Sequence, residues 1–115
     1  MVERPEPADG NRLKEETEVT AYIIVEVETT DEALMAEYRK HTPGAIAKFG
    51  GKFIVRGGKT RTLEGDWKPS RVVVLEFPDY EKAEAFYFGE HYKPILEMRL
   101  KAGKSKAILV DGHSG

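Results

Sequence analysis

The sequence predicts a single α+β domain with four strands and two helical stretches in the order βαββαβ. Three observations carry that expectation. The 115 residues suit one hydrophobic core. Runs with the two-residue period of a strand alternate with runs at helical spacing, and glycines or prolines punctuate the changes from one to the other. Apolar residues at 40% and charged residues at 33% describe a packed interior under a hydrated surface.

Ahead of the first periodic run, Val2 to Glu18 holds Pro5, Pro7 and Gly10 among charged residues and reads as a flexible amino-terminal arm, residues 1–18. Another use for such an arm is to cross to a partner subunit. The domain itself is expected over residues 19–112, with a short carboxy-terminal tail at 113–115.

Thr20 to Glu28, TAYIIVEVE, is rich in β-branched and aromatic residues. It predicts a first strand with Tyr22, Ile24 and Glu26 on one face and Ile23, Val25 and Val27 on the other. Thr29 and Glu32 have the spacing of a capping box opening a helix. On that helix Leu34, Tyr38, His41, Ala45 and Phe49 recur at steps of four and three, the pattern of one stripe facing a core. Pro43 is expected to kink or restart the helix near His41. Gly50-Gly51 supplies a left-handed stop, and KFIVR makes a second strand through Arg56.

Gly57 to Ser70 is polar, turn-rich and long for a hairpin connection, so a small ordered loop is expected. Arg71 to Phe77, RVVVLEF, is nearly continuously apolar and predicts a strand covered on both faces. Pro78 ends it, and Asp79 caps a helix carrying Ala83, Phe86 and Tyr87. Gly89 breaks that helix before a segment with Tyr92, Ile95, Leu96, Arg99 and Leu100; Gly103 stops this segment, and Lys106 to Val110 forms the last strand.

Right-handed crossovers place both helical stretches on one face of a four-stranded antiparallel sheet, with the first and third strands central, the ferredoxin-like arrangement. The opposite face is left bare and apolar. A second copy of the chain is its simplest cover, so a homodimer is expected. Sheets packed this way enclose space where a small organic ligand could sit.

Composition narrows the partners further. With 20 acidic and 18 basic residues the net charge is −2, which gives no field to gather nucleic acid or an anionic membrane. Without cysteine there is no disulfide and no thiolate nucleophile or metal ligand. No apolar run reaches the length of a membrane span and Met1 to Glu18 lacks a secretory apolar region, so the expected location is cytoplasmic.

The stretch from about Ala21 to Gly112 resembles the small proteins catalogued as domain of unknown function 1330. The residues that carry the likeness are Gly50-Gly51, Arg56-Gly57-Gly58, Glu64-Gly65-Asp66-Trp67, Pro69, Arg71, Glu76-Phe77-Pro78, the Ala83 to Tyr87 helix, and Tyr92 with Arg99. The resemblance implies a ferredoxin-like βαββαβ sandwich that forms a dimeric α+β barrel, and it implies no particular reaction. The wider superfamily includes metal-free monooxygenases, lactone isomerases and haem-handling proteins, so fold alone does not select a chemistry.

Several residues are candidates for function, each with a structural reading beside it. His41 is a proton-transfer group lining a cavity or a half-buried core histidine. His91 sits at a cavity mouth or on the surface at a helix start. His41, His91 and His113 have no metal-binding spacing, so no metal site is expected. Glu26 and Glu76 interrupt hydrophobic strands, at one height if the two central strands run parallel. Glu76 is either a general base with a raised pKa or a salt-bridged strand end, with Lys52 across from it. Arg56 and Arg71 either hold a carboxylate ligand between two guanidinium forks or brace the loop through Glu64 or Asp66. Gly58-Lys59-Thr60 fails as a phosphate loop because Phe53 stands where the first glycine is needed. Trp67 is a lid or an aromatic plug, and Tyr22, Tyr38, Tyr87 and Tyr92 could line an aromatic pocket. No flavin or haem motif is visible and no cofactor is expected.

The leading expectation is a homodimer binding a small organic ligand through Tyr22, Tyr38, Arg56, Trp67, Arg71 and Tyr92. The competing one is a cofactor-independent oxygenase or isomerase using His41 or Glu76; a structural or stress-related dimer is the third.

Overall fold

A computed structural model describes residues 19–113; the expected arm at 1–18 and the last two residues lie outside the described residues. The strands are β1 (Ala21–Thr29), β2 (Lys52–Arg56), β3 (Val72–Phe77) and β4 (Gly103–Asp111). The helices are α1 (Glu32–Ala47), α2 (Tyr80–Tyr87) and α3 (Lys93–Ala102). The order is βαββααβ, the expected unit with its second crossover split in two.

All strand pairs are antiparallel in the order β2-β3-β1-β4, which puts β1 and β3 in the centre. The register sorts the side chains. Ala21, Ile23 and Val25 pair with Phe77, Leu75 and Val73 on the face that α1, α2 and α3 cover, where most of the buried core lies. Tyr22, Ile24 and Glu26 pair with Glu76, Val74 and Val72 on the other face. β4 adds Val110, Ile108 and Lys106 to that second face, and Ile108 is 62% exposed. In β3, Leu75 and Phe77 are buried whereas Val72 and Val74 are only half-buried, so one chain covers one side of a strand whose composition suits two.

Three local expectations are corrected. The first helix is capped by Asp31, whose carboxylate accepts from the Leu34 amide at 3.1 Å; Thr29 is still in β1 and its neighbour Thr30 bonds the Ala102 carbonyl. Pro43 does not restart the helix, which runs through it to Ala47. Proline removes one intrahelical bond and costs about 3 kcal/mol, which burial of Met35 and Ile46 at roughly 1.5 to 3 kcal/mol each can offset. The buried stripe is Met35, Thr42, Ala45 and Ile46, with Tyr38 half-buried; His41 falls to one side of it and is exposed.

The turn between α1 and β2 forms as expected, with Gly50 at φ +78°. Asp79 caps α2 by accepting from the Lys82 amide at 2.7 Å. α2 ends at Tyr87 and α3 opens at Lys93 with Pro94 in its first turn. Residues 57–70 form no regular element.

Candidate functional site

Between the helices and the sheet lies a narrow cavity of about 50 Å³. Ile23, Val25 and Leu75 form its floor, and Met35, Phe53 and Phe86 supply further apolar wall. Its polar lining is mainly cationic and phenolic, Arg39, Arg56, Arg71 and Arg99 with Tyr38, Tyr87 and Tyr92, and Thr29 and Thr42 add hydroxyls. Among the described residues no carboxylate lines it.

Local sequence explains how these groups arrive. Tyr92 and Arg99 are seven residues apart, two helical turns, so both face the core from the α3 stripe that also buries Ile95 and Ala102. Tyr38 projects from α1 toward them. Phe86 is packed with its ring centroid 4.3 Å from that of Tyr92 and 5.2 Å from that of Phe77, which fixes the Tyr92 ring. Arg71 is set by Gly57: that residue has φ +75°, and an added Cβ would run into the Arg71 guanidinium. The positive φ favours glycine here, and any side chain would also push the Arg71 guanidinium aside, which gives the Arg56-Gly57 pair a physical reason.

The buried end of the cavity is a hydrogen-bonded cluster. The Tyr38 and Tyr92 hydroxyls are 2.7 Å apart. Arg99 donates from Nη1 to the Tyr92 hydroxyl at 3.4 Å and from Nη2 to the Tyr87 hydroxyl at 3.2 Å. Arg99 is 4% exposed, and its Nε is buried without a hydrogen-bond partner. Burial raises the Tyr92 pKa far above the ordinary tyrosine value; nearby Tyr38 adds to the rise and Arg99 opposes it. For Arg99, burial works against the cation, but the oxygens of Tyr92, Tyr38 and Tyr87 outweigh it and the net shift is upward. At neutral pH the cluster is therefore a buried cation among neutral phenols.

The remaining arginines lie toward solvent. Arg56 stacks on Phe53, 4.0 Å from the ring centroid. Arg71 reaches the Arg56 carbonyl at 3.5 Å, and neither arginine forms an ion pair with Glu64 or Asp66 among the described residues. Arg39 is the exception, being paired with Glu32.

Of the expected ligand contacts, Tyr38, Arg56, Arg71 and Tyr92 meet at this cavity. Tyr22 and Trp67 do not. Tyr22 points to the other face, where its hydroxyl accepts from Thr20 at 2.9 Å. Trp67 donates from Nε1 to Glu26 at 3.3 Å on that same face and is 58% exposed. The loop recess around Thr60, Leu63, Trp67 and Val72 is larger but open, and it lacks the buried, convergent polar groups of the cavity.

The two candidate proton-transfer residues are also off the cavity. His41 is exposed and hydrogen-bonded to Glu37 at 3.3 Å, a contact that is the main cause of a lowered Glu37 pKa, with Lys40 contributing. Glu76 lies on the bare sheet face, 3.5 Å from Lys52, the pairing expected from sequence. Glu26 and Glu76 do not share a height, because β1 and β3 are antiparallel: Glu26 faces Val72 and Glu76 faces Tyr22, four residues or about 14 Å along the strand. His91 is exposed just before α3. Tyr87, one of the tyrosines expected to line an aromatic pocket, does so, whereas no site role is expected of Arg99 or Arg39 from sequence. An arginine on an otherwise apolar helical stripe is the signal that could have found Arg99.

Among the described residues no group of three histidine, cysteine, aspartate or glutamate side chains could hold a metal ion, and no helix is long and apolar enough to cross a membrane. The family described as domain of unknown function DUF1330 matches residues 20–113. No match is found among curated proteins. Solved structures share the fold. A protein of unknown function from Rhodopseudomonas palustris aligns with TM-score 0.67 at 16% identity, covering 97% of this chain and 98% of its own. A dimeric ferredoxin-like protein of unknown function from Jannaschia sp. aligns with TM-score 0.61 at 17% identity, covering 81% and 99%. SnoaB, a cofactor-independent oxygenase from Streptomyces nogalater, aligns with TM-score 0.50 at 16% identity, covering 84% and 93%. At these identities the likeness is one of α+β, ferredoxin-like fold.

Proposed function

The chain belongs to the DUF1330 family, and from that premise and the cavity we propose that it works as a homodimer binding a small organic molecule between its sheet and helices. The observation that carries this reading is the convergence of Tyr38, Tyr87, Tyr92 and Arg99 at the buried end of an otherwise apolar cavity. Pockets that recognise small molecules combine apolar walls with a few converging polar groups. An arginine that is 4% exposed and incompletely bonded is uncommon in a purely structural core.

In this reading the helix-covered face binds and the bare face assembles. Ile24, Val74, Ile108 and Val110 face away from the helices and need a cover, which a second copy supplies. The dimeric neighbour from Jannaschia supports that arrangement. The reading uses neither His41 nor Glu76.

Native mass spectrometry on freshly purified protein tests both halves. The expected spectrum is a dimer that carries a defined extra mass or gains one from a metabolite extract. A monomer that takes up nothing would overturn the proposal.

A further inference from the structure

The buried end of the cavity has more donors than acceptors. In the Tyr38 and Tyr92 pair one hydroxyl donates to the other, and the accepting hydroxyl keeps an O–H with no acceptor among the described residues. Tyr87 accepts from Arg99, and its own O–H is likewise unassigned. Arg99 adds a buried Nε with no partner. Against these donors the cavity offers no carboxylate. A buried guanidinium with no counter-charge is costly. These donors together match an anionic acceptor with more than one oxygen.

We propose that the ligand is a carboxylic acid with a short or flat apolar body, its carboxylate directed at the Arg99 guanidinium with Tyr87 and the Tyr38–Tyr92 pair, and its body lying on Ile23, Val25 and Phe53 toward Arg56 and Arg71. This rests on the binding reading above and adds the chemical class. A carboxylate fits because guanidinium presents Nε and an adjacent Nη as a planar fork matched to two oxygens. The size fits too, since a volume of about 50 Å³ suits a carboxylate and its first few carbons. Phe53, stacked under Arg56, gives a flat surface for an aromatic or planar body.

The test is titration calorimetry with butyrate and benzoate against butyramide and benzamide, which have the same shape without the charge. The acids are expected to bind at least about tenfold more tightly than the amides, the worth of a hydrogen bond to a charged group. Arg99→Met is expected to reduce that preference to within about threefold. Circular dichroism checks the fold of the variant; if Arg99→Met does not fold, Arg99→Lys, which keeps charge but loses the fork, is expected to lower the preference several-fold. Equal binding of acids and amides, or a preference that survives Arg99→Met, overturns the assignment of the acid and leaves the binding reading standing. Failure of all four probes to bind overturns the assignment of the acid, and uptake from a metabolite extract in the native mass spectrum then decides the binding reading on its own.

Discussion

Arg99 sets a conflict between stability and binding within one side chain. It lies 4% exposed among three tyrosines with one nitrogen unpaired. Replacing a buried cation held by hydroxyls alone with an apolar side chain of similar length removes a desolvation cost, so Arg99→Met is expected to stabilise the ligand-free protein by about 1 kcal/mol. That gain would raise Tm by about 4 to 8 °C for a domain of this size, a shift thermal unfolding can measure. A fall in Tm would show that the two tyrosine contacts outweigh the buried charge. Tyr92 gives a pH dependence with a definite sign. Its folded-state pKa is raised by burial, so near pH 10 and above the unfolded chain loses a proton that the folded chain keeps. The contribution is fully present below the ordinary tyrosine value and is lost as pH rises past it, at up to about 1.4 kcal/mol per pH unit. Urea unfolding at pH 8, 10 and 11 should show that decline, and Tyr92→Phe should flatten it.

At the scale of elements, the parts legible in the sequence are those where local and tertiary preferences agree. The β1 alternation, the Gly50 turn, the Asp79 cap and the Gly89 break are each decided within a few residues, and each forms as expected. The first helix differs because its signals compete. Thr29 and Glu32 have capping-box spacing, but Thr29 pairs with Gly103 in the sheet, which leaves Asp31 as the first free side chain able to cap. Its loss in Asp31→Ala should cost about 1 kcal/mol in urea unfolding, whereas Thr29→Val should not reproduce a lost cap. Spacing from Tyr38 and Ala45 places His41 on the core stripe, but Thr42 holds the inward position and donates to the Tyr38 carbonyl at 2.7 Å. The site was legible only in part for a related reason. Arg56 and Arg71 flank a turn and advertise themselves, while Arg99 acquires meaning only when α3 is laid beside α1. Gly57→Ala tests the turn itself. The left-handed backbone and the crowding against Arg71 should together cost about 1 to 2 kcal/mol and move Arg71 out of the cavity lining.

For the whole molecule, the two sheet faces present opposite problems to solvent, and the difference yields a test of assembly. The helix face is closed within one chain, with Ile23, Leu75 and Phe77 at or below 5% exposure. The bare face carries Val55 at 40%, Ile108 at 62% and Val110 at 41% exposure around half-buried Ile24 and Val74. Its charges sit at the margins and are matched across strands: Lys52 lies opposite Glu76, Lys106 opposite Glu26 and Lys104 opposite Glu28. Cross-strand pairing leaves little unbalanced charge to repel a second copy, and the apolar centre gains from being covered. Ile108 separates the alternatives because its fate differs so sharply between them. In an isolated chain Ile108→Glu is a surface substitution worth less than about 0.5 kcal/mol. In a face-to-face dimer it places two uncompensated carboxylates in the interface, at a cost of several kcal/mol for the pair. Light scattering coupled to size-exclusion chromatography is therefore expected to show the parent protein as a dimer and Ile108→Glu as a monomer at the same concentration, with dissociation weakened contacts of at least about a hundredfold. Two parent molecules that stay associated unchanged through that substitution would place the interface elsewhere. The cavity supplies the complementary readout: it lies on the helix-covered side of the sheet, so an Ile108→Glu monomer that remains folded is expected to keep its preference for acids over amides.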